Sequence, residues 1–162
     1  MSARADHHVA LRVSDLERSI RFNEEALGGR LVAAPTLREG PYIEAVFGPG
    51  ARVKVCHVAF AANALELWQF LAPVVPIPTQ EQSALGIMHF ALTVDDVPAT
   101  LARVEAAGGR ARFAVKSIGG DSPGRFVYCE DPDGIVFELL SVDHPETVRL
   151  ILAGNPDAEV KP

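Results

Sequence analysis

Hydrophobic and polar positions change period along this chain in a regular order. Residues 8–13, His-Val-Ala-Leu-Arg-Val, alternate as a half-buried strand does. Leu16, Ile20, Ala26 and Leu27 then recur at helical spacing. Ser14 or Asp15 can accept from the first free amides of that helix, and the glycine pair Gly28-Gly29 ends it. Arg52 to Phe60 and Leu65 to Leu71 read as a hairpin turning near Ala61-Ala62-Asn63. The same cycle follows a second time. Leu101, Val104 and Ala107 mark a helix over 97–107, capped by Asp95 or Asp96 and stopped at Gly108-Gly109. Arg125 to Glu130 and Ile135 to Ser141 read as a second hairpin, across Asp131-Pro132-Asp133-Gly134. In that turn proline presets φ, aspartate caps, and glycine accepts a positive φ.

The two cycles are copies of one another. Shifting residues 8–16 (HVALRVSDL) by 81 lays them on 89–97 (HFALTVDDV). His8 then meets His89, Ala10 meets Ala91, Leu11 meets Leu92, Val13 meets Val94 and Asp15 meets Asp96. Each copy is strand, helix, then three strands. The expected organisation is a first βαβββ module over 6–72, a proline-containing linker over 73–85, and a second module over 86–142. A tail over 143–162 follows, with a short helix starting at Pro145. The expected fold class is α+β: two tandem βαβββ modules forming a curved, partly open mixed sheet.

Composition narrows the function. Of 162 residues, 48% are hydrophobic, enough for a substantial core, and 22% are charged. The net charge of −6 and the lack of a basic patch argue against nucleic acid as partner. No apolar run is long enough to cross a bilayer, so no membrane partner is expected. Met1 to His8 lacks the apolar core of a signal peptide. Cys56 and Cys129 form neither a CxxC pair nor a disulfide framework, which fits a cytoplasmic location.

Four polar residues interrupt the apolar strands at equivalent places. His8 and His89 open the first strand of each copy; Glu66 and Glu138 sit in the last. A lone carboxylate in a sheet core costs several kcal/mol unless paired or bound to a cation. Singly, each of these residues reads as an ordinary structural or solvated side chain. As a set placed alike in both copies, they point to one divalent metal ion with His8, Glu66, His89 and Glu138 as ligands. His7, one step from His8, is expected to point the other way. His57 and His144 lack counterparts in the other copy and read as structural or exposed.

With these residues in view, the chain resembles the vicinal oxygen chelate superfamily: glyoxalase I, methylmalonyl-CoA epimerase, extradiol dioxygenases and bleomycin-resistance proteins. The motifs carrying the resemblance are His8-Val-Ala-Leu-Arg-Val-Ser-Asp-Leu, Leu65-Glu-Leu, His89-Phe-Ala-Leu-Thr-Val-Asp-Asp and Asp131-Pro-Asp-Gly-Ile-Val-Phe-Glu138. The ligand pattern is most similar to glyoxalase I-like lyases. The resemblance implies an enzyme, a lyase or isomerase, that uses Ni, Co, Zn, Mn or Fe as a Lewis acid to stabilise the enolate of a small 2-oxo or thioester substrate. It implies Glu138 as catalytic base and Glu66 as its counterpart for the opposite face. In the epimerases a loop glutamate also serves, and Glu39 and Glu44 fall in that region as a loose match. Arg12 matches an arginine that binds a glutathione carboxylate, while Phe70 stands where the family has an asparagine four residues after the first glutamate, a departure from the glutathione pattern. Strand alternation adds Trp68, Phe70 and Thr93 to the substrate-binding surface. Trp68 and Phe70 fit an apolar substrate tail or ordinary core. Simple hairpin pairing would place Cys56 and Cys129 on that surface too; the other reading is a pair of buried, inert thiols. The 115–124 loop is either a lid or a passive surface loop, and Lys54 and Arg125 are either at the pocket mouth or solvated. Exposed sheet edges imply a homodimer. Two other readings stay open: a ring-cleavage-type dioxygenase, and a non-catalytic protein that binds and sequesters small molecules such as drugs.

Overall fold

The computed structural model describes residues 7–61, 63–76 and 85–155. It forms two compact units that divide between Gly86 and Ile87. The expected starts of the first module at Asp6 and of the chain at Met1, Ala62 of the hairpin turn, most of the 73–85 linker and the tail beyond Asn155 lie outside the described residues.

In the first unit, β1 (His8–Arg12), β2 (Arg30–Arg38), β3 (Arg52–Ala59) and β4 (Ala64–Ala72) form one mixed sheet in the order β1-β4-β3-β2. β1 runs parallel to β4; the other pairs are antiparallel. The helix α1 (Leu16–Glu25) packs on β2, β3 and β4. Asp15, one of the two expected caps, accepts from the Arg18 amide. Leu16, Ile20 and Phe22 are buried on its inner face, as are Ser19 and Asn23. Opposite them, β4 turns Leu65 and Leu67 toward the helix, and β3 turns Cys56 and Val58. These apolar pairs leave the other sheet face to Glu66, Trp68 and Phe70, which pair with His57, Val55 and Val53.

A short helix absent from the sequence reading, α2 (Pro41–Phe47), follows β2. Its signals are present in the chain: proline in the first turn, bracketed by Gly40 and Gly48. Its seven residues are too few for the periodicity test to pick out. Ile43 joins Ala51 and Val53 in a small core that Phe47, Trp68 and Phe70 cover.

The second unit repeats the plan with a shortened edge. β5 (Phe90–Thr93), α3 (Val97–Ala106), β6 (Arg110–Ala111), β7 (Lys116–Ser117), β8 (Arg125–Glu130) and β9 (Val136–Leu140) follow in order. The sheet runs β5-β9-β8-β6, with β7 also on β8 and β5 parallel to β9. The single strand expected after the helix is thus split into two short ones. Asp96 caps α3, which buries Val97, Thr100 and Val104. At the β8–β9 turn, Asp131 Oδ1 accepts from the amides of Asp133 and Ile135, and Gly134 takes φ +80°. The tail helix, α4 (His144–Gly154), is capped by Asp143 and carries Pro145 in its first turn. Its Leu150 is buried beside Gly124. The architecture is therefore α+β, with two mixed sheets and, among the described residues, four helices and no closed barrel.

Candidate metal centre

Both units place a histidine beside a glutamate by the same register. In the first, Ala10 of β1 lies opposite Glu66 of β4, so His8, two residues earlier, shares the Glu66 face. His8 Nε2 is 3.5 Å from Glu66 Oε2. In the second, Ala91 of β5 lies opposite Glu138 of β9. His89, just ahead of the strand, brings Nε2 to 3.3 Å from Glu138 Oε2. Each pair lies within one unit. Among the described residues, no group of three or more His, Cys, Asp or Glu side chains is gathered into a cation cage.

The surroundings of the two carboxylates differ. Glu66 Oε2 accepts the Trp68 indole N–H at 2.7 Å, and Oε1 lies 3.3 Å from His57 Nε2. His57 is directly opposite Glu66 across the β3–β4 pair. The residue opposite Glu138 is Tyr128. Its ring packs against His89 with centroids 4.7 Å apart. Phe113 and Phe126 continue this aromatic surface, each ring within 6.3 Å of the Tyr128 ring. Burial pushes the Glu138 carboxyl above its ordinary value, and the adjacent His89 pulls it back in part. Burial and the Glu138 charge push the Tyr128 phenol up. The other His89 ring nitrogen, Nδ1, is buried with no hydrogen-bond partner among the described residues.

Several expectations change here. His57 is not an isolated structural histidine. The missed signal was the hairpin register, which needs the length of the turn at 60–63. His7 does not point away from His8: their Nδ1 atoms are 2.8 Å apart. His7 precedes β1, so strand alternation does not govern it. Cys56 pairs with Leu67 and Cys129 with Phe137, so both thiols face the helices and not the glutamates. Lys54 pairs with Gln69 on that same helix side. Trp68 is engaged with Glu66 and rests on Phe47 at 5.3 Å, while Phe70 meets Phe47 at 5.2 Å. The Arg12 guanidinium lies 4.8 Å over the Phe70 ring. Thr93 is exposed at the end of β5. Glu39 pairs with Arg52, and Glu44 accepts from the Gly50 amide, so both loop glutamates serve local structure. Arg125 is no pocket-mouth cation: its Nη1 donates to Ser117 Oγ and to the carbonyls of Ser122 and Gly124. Those bonds tie down the loop expected as a possible lid.

A fold of paired βαβ units carrying His–Glu pairs defines a class, and comparison with known proteins gives its name. The family profile described as "Glyoxalase/Bleomycin resistance protein/Dioxygenase superfamily" matches residues 7–139, and the chain belongs to that family. It is 32% identical over 133 residues to the lactoylglutathione lyase of Haemophilus influenzae, covering 82% of this chain and 89% of that one. It is 30% identical over 157 residues to a probable chloroplastic lactoylglutathione lyase of Arabidopsis thaliana. That match takes in 95% of this chain but only 41% of the plant protein. The crystal structure of a glyoxalase family protein from Bacillus cereus superposes with a TM-score of 0.76 at 23% identity. The superposition covers 86% of this chain and 95% of that one, and shows a shared fold.

Proposed function

We propose that this chain is a glyoxalase-like lyase or isomerase that uses a divalent cation, with His8, Glu66, His89 and Glu138 as the donors. The observation carrying this reading is the repeated pair: a histidine Nε2 within 3.5 Å of a glutamate Oε2, set by the same strand register in both units. Both carboxylates are largely withdrawn from water, at 17% and 14% exposure, so a solvated surface role does not account for them. Two imidazoles and two carboxylates suit Ni, Co, Zn, Mn or Fe. The residues present therefore fit such an ion.

A bound cation supplies positive charge to a substrate carbonyl, making the adjacent C–H more acidic. The protein's share is proton handling and orientation. Glu138, held by His89 in a half-buried setting, takes the proton from the carbon next to the carbonyl. For an α-hydroxy carbonyl or hemithioacetal, returning it to the former carbonyl carbon shifts the hydrogen between neighbouring carbons, the internal redox step of a glyoxalase-type reaction; returning it to the same carbon from the opposite face inverts that centre, as an epimerase does. Glu66 is the second carboxylate for that opposite face. Arg12, exposed over Phe70, offers a positive charge to an anionic substrate end. The substrate class is a small 2-oxo compound or thioester. A homodimer is part of this proposal.

The test is elemental analysis of purified protein beside the Glu138→Gln variant, with hydrogen–deuterium exchange on a panel of 2-oxo compounds, hemithioacetals and acyl thioesters. One metal per chain and exchange lost in the variant support the reading. Metal-free protein that takes up no added Ni, Co, Zn, Mn or Fe overturns it. Oxygen uptake with catechols, dependent on Fe(II), replaces it with ring cleavage.

A further inference from the structure

Glu66 and Glu138 occupy matching register positions but are held differently. Each Glu66 oxygen faces a separate neighbour on the same sheet face: Trp68 Nε1 on Oε2, and His57 Nε2 on Oε1. His8 approaches Oε2 as well, and its own far nitrogen is engaged by His7. The position matching His57 in the second unit is Tyr128, whose ring stacks on His89. The polar neighbour of Glu138 there is His89. Among the described residues, Glu66 has a polar neighbour on each oxygen, whereas the polar contact seen for Glu138 is on Oε2 alone.

We propose that His57 is a positioning residue for Glu66. It restrains the carboxylate from across the β3–β4 pair, while Trp68 restrains it along the strand, so Glu66 is set in place before a cation binds. This rests on the cation-binding reading above. A carboxylate oxygen carries two lone-pair directions, so one protein donor on each oxygen still leaves an acceptor direction open. Fixing the side chain in advance removes rotamer entropy that binding would otherwise cost, which is how hydrogen-bonding neighbours of metal ligands raise affinity. Its own side chain is partly exposed, at 36%, so replacing it leaves the core untouched.

The experiment titrates metal-free protein with Co(II) against a chelator of known affinity, for wild type, His57→Leu and His57→Gln, with thermal melting of each metal-free form. His57→Leu should bind Co(II) about 10- to 100-fold more weakly with little change in melting. His57→Gln, which keeps an N–H donor of similar reach, should recover most of that loss. Long-range 1H–15N spectra of metal-free wild type should show the His57 proton on Nε2, and Glu66→Gln should shift that resonance. Wild-type Co(II) affinity in His57→Leu overturns the inference, as does a Gln variant no better than Leu. A His57 proton on Nδ1 at neutral pH overturns it as well. Wild type that binds no Co(II) instead sinks the cation reading itself, so the two failures are told apart.

Discussion

Glu66 and Trp68, two positions apart on β4, face the same side of the sheet, and the indole N–H is donated to Glu66 Oε2 at 2.7 Å. The bond couples a proposed ligand to the small core under α2, because the same indole packs on Phe47. Trp68→Phe keeps an aromatic ring for that packing and removes the donor. Stability should fall by about 1–2 kcal/mol, the worth of a hydrogen bond to a partly exposed charged group. Cation affinity should fall with it, whereas Trp68→Phe at wild-type affinity would show that the indole is packing alone. Denaturant unfolding and Co(II) competition read the two effects separately.

Gly119 takes φ +65° where the loop touches α4, and a Cβ built there falls on the Leu150 carbonyl oxygen. Gly119→Ala therefore meets both a backbone clash and an unfavourable φ, and should cost about 3–4 kcal/mol by displacing α4. Gly120, at φ +97°, has nothing within 4 Å of its added Cβ. Gly120→Ala should cost about 1–2 kcal/mol from backbone conformation alone. Equal melting temperatures for the two variants would rule out a tight loop–helix contact.

Arg125 gathers three oxygens of the 117–124 segment. Arg125→Ala should leave the β8–β9 hairpin in place and loosen this segment. Amide exchange should rise at Ile118 and Ser122, whose N–H groups bond within the segment, while Val127 and Leu139 stay protected. Unchanged exchange at Ile118 would mean the loop holds itself.

Burial pushes the thiols of Cys56 and Cys129 from an ordinary value of 9.0 up to about 11. At pH 8 both should be inert to a thiol reagent in the folded chain and react only as fast as the protein opens. The unfolded thiols ionise near pH 9 and the folded ones near 11, so the folded state binds more protons between those values. Their contribution to stability is complete below pH 9 and is lost as pH rises toward 11. Rapid labelling of native protein at pH 8 would contradict the helix-facing register of both residues.

The duplication, the first helix of each copy with Asp15 and Asp96 among its candidate caps, the hairpins and the Asp131–Gly134 turn were legible in the chain, because each depends on neighbours a few residues away. The equivalent placement of a histidine and a glutamate in each copy was legible too, because duplication turned one ambiguous residue into a repeated one; that each histidine lies beside the glutamate of its own copy came from the strand register. What the tertiary structure decided were the facts that depend on how strands slide past each other. Those are the contact of His57 with Glu66, the turn of Cys56 and Cys129 toward the helices, and the use of Arg125 as a loop anchor. A one-residue change in turn length reverses every side chain of a strand, and turn length at 60–63 is not written in hydrophobic periodicity. The short helix over 41–47 escaped for a related reason: two turns are too little sequence to show a period, and its inner face is completed by Trp68 and Phe70 from a strand far along the chain.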